Sequence, residues 1–240
     1  MDTLILLHGI GRSARNMAGL ADSARKRGYE VHNLDYPSRQ KSLQDLSVWL
    51  HDYMQDKVLS CTSGKTTPHK IHFVTHSMGG LVLAQYLKTY QDHFQEKPFC
   101  DLHPLKKPVI GRVVMLSPPL GGSEVADFLS SFWLYRAWYG PAGMELLTRV
   151  RAPATYQSEF SSCIWYDLGI IAGSNDRPYP LARFLLNPPS DGRVRVVHTK
   201  IKEMRDHIVL PVTHSFMMHN PQVHTMCFAF LQTGQFPPRT

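Results

Sequence analysis

Short, unbroken apolar runs alternate along this chain with longer stretches in which apolar residues recur every three or four positions. The first run, residues 3–7 (TLILL), leads into His8, Gly9, Ile10 and Gly11, which suits a strand buried on both faces of a parallel sheet. Residues 14–27 then carry a helical pattern closed by Gly28, and residues 30–34 read as the next strand. Ser42 with Asp45 resembles a capped helix start, and Leu43, Leu46, Leu50 and Tyr53 fall on one face of that helix. Further strands are predicted at 71–75, 113–116, 164–172 and 208–212, and a helix opens at Met78. Asn220 and Pro221 start a last helix whose buried face holds Val223, Cys227, Phe230 and Leu231.

Strands alternating with helices predict an α/β fold: a mostly parallel, doubly wound sheet of about six strands with helices on both faces. One block departs from the alternation. Residues 121–150 are rich in large apolar side chains and read either as a helical cap beside a site or as an ordinary pair of core helices. A length of 240 residues with 43% hydrophobic content suits one domain spanning 1–240, with a cap or lid insertion at 121–162.

The opening MDTLILLHGIG has neither the basic start nor the long apolar stretch of a signal peptide, so a cytoplasmic protein is expected. The four cysteines are scattered without a CxxC pair and read as buried free thiols. The net charge of +7 comes from dispersed groups, and no nucleic-acid-binding motif accompanies them; the partner interaction it suits is weak attraction to an anionic membrane surface.

The stretch IHFVTHSMGGLVLAQYL carries the candidate chemistry. It places Ser77 between a strand and a helix, with Gly79 and Gly80 just beyond. A sharp strand-to-helix turn lifts a serine hydroxyl clear of the sheet and aims the helix N-terminus at developing negative charge. The glycines give the tight turn room, and the Met78 N–H becomes a candidate oxyanion donor. A serine that merely caps the helix is the plainer alternative for such a string.

From LILLHGIG through VTHSMGGLV and IAGSNDRPYP to SDGRVRV and LPVTHSFM, nearly the whole chain resembles an α/β-hydrolase, in particular the compact bacterial lipase and esterase-like members. The resemblance implies an ordered serine, acid and histidine triad. It assigns the nucleophile to Ser77 and the second oxyanion donor to the Ile10 N–H of the HGIG loop, leaving His8 to brace that loop. One departure stands out, because Thr75 occupies the place of the first glycine of the family's GxSxG elbow.

Among thirteen histidines, the resemblance selects His214, between the last strand and the last helix, over His207, His219 and His224. Two carboxylates compete for the acid. Asp176 follows the strand where a generic member carries it, whereas Asp191 matches the Asp-Gly-x-Val string of the compact lipases and is preferred. Either could instead be a turn aspartate satisfied by its own backbone.

No metal and no cofactor are expected: HExxH is absent, His214, His219 and His224 are wrongly spaced for one helical face, and GIGRSA lacks the third glycine of a dinucleotide loop. The expected activity is hydrolysis of a small-molecule carboxylic ester or lipid through an acyl-enzyme, with Phe132, Trp133 and Trp138 as candidate acyl-binding residues. An acyltransferase or thioesterase with the same triad, and a non-catalytic binding protein on the same fold, are the alternatives.

Overall fold

The computed structural model describes residues 1–60, 70–94, 109–130, 133–147, 164–180 and 185–238. Six strands, β1 (Thr3–Leu7), β2 (Glu30–Leu34), β3 (Lys70–His76), β4 (Val109–Leu116), β5 (Asp167–Gly173) and β6 (Asp206–Leu210), form one parallel sheet in the order β2-β1-β3-β4-β5-β6. The apolar runs have no polar alternation because both faces are covered. In β1, Ile5 and Leu7 join one core and Leu4 and Leu6 the other. In β4, Val113 and Met115 are likewise separated from Val114 and Leu116.

Helices α2 (Leu43–Tyr53) and α3 (Met78–Thr89) contribute Leu46, Leu50, Leu83 and Tyr86 to the first core. Helix α1 (Ala18–Arg25) and the last helix, here α6 (Pro221–Thr233), supply Leu20, Ala24, Cys227 and Phe230 to the second. Two further helices, α4 (Glu124–Ser130) and α5 (Trp133–Met144), follow β4. The predicted α/β fold class, sheet and helical layers therefore hold.

Several boundaries moved, each for a local reason. The helix predicted over 14–27 is a 3-10 turn (Ala14–Met17) followed by α1. The Ala14 carbonyl accepts from Asn33 Nδ2 (2.8 Å), while the Ala18 N–H turns to Arg15 O. Strand β4 begins at Val109 rather than 113, because Gly111 lies against the His72 ring and Arg112 N–H donates to His72 Nδ1 (2.9 Å). Pairing of β5 with β4 starts at Asp167, so 164–166 stay outside the strand, with Trp165 stacked on Phe94. Strand β6 stops at Leu210 because Pro211 has no N–H with which to continue the ladder.

Of the cysteines, Cys227 is a buried free thiol, and Cys61, Cys100 and Cys163 lie outside the described residues. Among the described residues no helix is long and apolar enough to cross a membrane.

Burial also leaves a mark on pH stability. It holds His8 and His72 below the usual imidazole range and pushes His207 down to about 4. These rings are neutral when folded but take up protons on unfolding below about pH 6.5. The unfolded state then binds more protons, so stability is expected to be flat above that pH and to fall as the pH drops toward 4. Urea midpoints near pH 7 and near pH 5 check this, and equal midpoints would be the contrary result.

Candidate active site

Chain order fixes where a site can form. From β1 the chain moves to one side to form β2, then crosses back to the other side of β1 to form β3. At this switch point the loops leaving the carboxyl ends of β1 and β3 diverge and leave a crevice. His8–Gly11 leave β1 there and Ser77 leaves β3.

Ser77 has φ 53° and ψ −125°, a conformation that L-residues adopt only under constraint. The constraint is visible: Ser77 N–H donates to Leu116 O (2.8 Å), while Gly80 N–H donates to Ser77 O (3.0 Å). Close packing explains the glycines. A Cβ on Gly79 would lie 2.7 Å from both Leu7 O and His8 O, and one on Gly80 would lie 3.2 Å from Thr75 Oγ1. Thr75, the departure from the usual elbow, is thus a fully buried strand residue whose side chain sits in the space Gly80 leaves open.

The Ser77 hydroxyl donates to His214 Nε2 (3.0 Å), and His214 Nδ1–H donates to Asp191 Oδ2 (2.7 Å). His214 sits on the loop between β6 and α6, and its backbone is held as firmly as its ring. Its N–H donates to Asp191 O (3.0 Å), and His76 Nε2–H donates to its carbonyl (3.0 Å). Burial, reinforced by the charges of His214, Arg12 and Arg193, holds His76 well below the usual histidine range, so it is a neutral donor.

Asp191 is fully buried and uses its two oxygens differently. Oδ1 accepts from Arg193 N–H (3.0 Å) and Val194 N–H (2.8 Å), the turn expected of Asp-Gly, with Gly192 at φ 91°. Oδ2 is left for His214. The turn aspartate and the histidine partner are one residue. Burial alone would raise the Asp191 pKa, but the His214 ring and hydrogen bonds from His214, Ser117 and Val194 outweigh it and keep the carboxyl below its usual range.

Asp176 does not join this chain; its carboxylate accepts from Ser190 Oγ (3.3 Å). The other histidines are engaged elsewhere: His207 with Thr199 Oγ1 (3.0 Å), and His224 with Ser23 Oγ (3.2 Å) and Met218 O (2.8 Å), while His219 is exposed. His8 stacks on Tyr36 at 4.3 Å, and its Nδ1–H donates to Gly9 O (2.8 Å). The Gly9 backbone crosses close over the elbow, since a Cβ there would be 3.2 Å from Ser77 Cβ. This brings Ile10 to the cleft beside Ser77. Met78 opens α3, where its N–H has no helical acceptor.

Ser77 and His214 open into a cleft of about 600 Å³, solvent at its mouth included. Val125 and Ala126 of α4 and Tyr139 of α5 are among its lining, so these described parts of the 121–150 block border the site. Phe132 lies outside the described residues, and Trp133 and Trp138 are described only as backbone positions of α5. Among the described residues no group of three or more His, Cys, Asp or Glu gathers as a metal site would require.

Three contributors were not singled out from sequence. Ser117, at φ 42° beyond β4, accepts from Gly173 N–H (3.1 Å), and its hydroxyl is among the groups that hold the Asp191 carboxyl below its usual range. Arg12 and Arg193 line the cleft. For Ser117 the only signal was its place directly after a buried strand, in LSPP; the arginines looked like surface charge.

A parallel sheet with a strained serine at its switch point, bonded to histidine and aspartate from later loops, is the arrangement of an α/β hydrolase. The sequence profile of the alpha/beta hydrolase family matches residues 4–224, and the chain belongs to that family. Its fold is similar to the mature form of Bacillus licheniformis lipase BlEst2 (TM-score 0.70, 18% identity, 97% of this chain and 91% of that one). It is also similar to phospholipase PlaB from Legionella pneumophila (TM-score 0.68, 13% identity, 98% and 58%). A third likeness is to the monoacylglycerol lipase of Paleococcus ferrophilus (TM-score 0.57, 15% identity, 98% and 97%). No curated protein sequence matches the chain.

Proposed function

We propose that the protein is a serine hydrolase of carboxylic esters, in which Ser77 is the nucleophile, His214 the base and Asp191 the acid. The observation that carries this reading is the unbroken hydrogen-bond chain from Ser77 Oγ through both ring nitrogens of His214 to a buried, ionised Asp191. Ser77 Oγ attacks the ester carbonyl carbon as its proton passes to His214 Nε2. The N–H groups of Ile10 and Met78 receive the oxyanion. Collapse of the tetrahedral adduct expels the alcohol, which takes the proton from His214, and water activated by the same ring releases the acid.

The chain is read as one hydrolase unit, 1–240, with residues 121–162 as its cap. The presence of Val125, Ala126 and Tyr139 in the cleft lining supports an acyl-binding role for this segment; Phe132, Trp133 and Trp138 belong to that proposal on their sequence alone. The test is intact-protein mass spectrometry after treatment with a fluorophosphonate. One adduct, formed with loss of fluoride and located on Ser77, is expected; a folded protein that stays unlabelled would count against an activated serine.

Ser117 is a positioning residue in this scheme, since it holds the acid and not the substrate. Ser117→Ala removes one hydrogen bond to a buried carboxylate, worth about 1.5–3 kcal/mol. A roughly tenfold or greater drop in kcat is expected, with KM little changed and the pH profile altered on its acidic side. Unchanged kinetics would leave Ser117 a purely structural part of the β4 turn.

A further inference from the structure

Arg12 and Arg193 line the cleft beside Ser77 and His214, and among the described residues no Asp or Glu lines it with them. They enter from opposite sides of β3. Arg12 closes the turn after β1, its N–H donating to Gly9 O (3.2 Å), whereas Arg193 follows the acid in the loop after β5. Arg193 makes its structural contacts through its backbone: its N–H donates to Asp191 Oδ1, and its carbonyl accepts from Ser123 Oγ (2.8 Å). Neither guanidinium is paired with a carboxylate among the described residues. Arg25, Arg112, Arg195 and Arg205 all are.

Both cations line the cleft, and both act against protonation of His76, which lines it with them. An anion complements such a pair, because guanidinium groups bind carboxylate and phosphate oxygens in bidentate fashion. The lining also includes the apolar Val125, Ala126 and Leu146 and the Tyr139 ring. The cleft therefore offers apolar surface for an acyl chain together with two cations for a negative charge. The chain's net charge of +7 favours approach of such a molecule.

We propose that Arg12 and Arg193 form an anion subsite, and that the ester cleaved at Ser77 carries a carboxylate or phosphate close to its scissile bond. The cleavage half rests on the hydrolase reading above; the subsite does not. Binding is therefore measured separately from turnover, on Ser77→Ala protein by calorimetry, with 1-butyrylglycerol 3-phosphate, 3-(butyryloxy)benzoate and neutral 1-butyrylglycerol as probes. At least one anionic ester is expected to bind about tenfold or more tightly than the neutral one, the range of a charge-assisted hydrogen bond. That preference should shrink in Arg12→Gln and Arg193→Gln, survive in the corresponding lysine variants, and weaken as salt is added.

The phosphate and carboxylate arms identify which anion fits better. Equal binding of the anionic and neutral esters, or a preference that persists in both glutamine variants, overturns the subsite. Preferential anion binding by Ser77→Ala, together with no turnover of any ester by the wild type, would keep the subsite and reject the hydrolase. Both arginines are partly or fully exposed and hold no side-chain partner among the described residues, so thermal melts of the variants should match the parent.

Discussion

Ser77→Ala is expected to lower ester kcat by about a millionfold, the scale on which removal of a serine nucleophile acts when base and acid remain. The fluorophosphonate adduct should disappear with it. The fold should persist, because the hydroxyl contributes one hydrogen bond, to His214, while the elbow is held by backbone bonds to Leu116 and Gly80 that alanine keeps. A melting temperature close to that of the wild type, measured beside kcat, separates loss of chemistry from loss of structure. Undiminished turnover in a folded Ser77→Ala protein would place the nucleophile elsewhere.

The parts of the fold that sequence reveals are those where burial dictates residue type. Both faces of β1 and of the second half of β4 are covered, so those stretches are unbroken apolar runs, and a parallel sheet follows once helices are read between the strands. Boundaries were harder because they depend on partners distant in sequence. Nothing near Ala14 announces that Asn33 will take its carbonyl, and Gly111 with Arg112 hid the first half of β4 until His72 was seen beneath them.

The site was legible where its chemistry also shapes the backbone. Ser77 needs small neighbours and Asp191 needs a turn, and both requirements leave glycines in the sequence. Ser117, Arg12 and Arg193 leave no such trace. A serine after a strand and arginines in loops are compatible with many roles, and only the folded chain places them beside Asp191 and in the cleft. Thr75 shows the reverse case. A β-branched residue fills more of the turn than the glycine it replaces, but the space its side chain needs is supplied by Gly80, five residues later.

Asp191→Asn is expected to lower kcat by about 10⁴-fold, the effect that a wrong histidine tautomer has in a serine-histidine-aspartate site. The geometry leaves an amide no good orientation. With its oxygen toward Arg193 N–H and Val194 N–H, its NH2 faces His214 Nδ1, which must then accept; the ring proton moves to Nε2, and the ring can no longer take the proton of Ser77. With the amide reversed, its NH2 opposes the two backbone N–H donors, and the turn that positions the acid is lost. Either arrangement also removes the negative charge that stabilises the imidazolium formed during attack. Asp176→Asn should change kcat by no more than a few-fold, since Ser190 lies within hydrogen-bonding distance of that carboxylate and His214 does not. Steady-state kinetics and melting curves on the two variants decide the matter: the large loss falling on Asp176→Asn instead would transfer the role of acid to the loop directly after β5, and Asp191 would then serve only its turn.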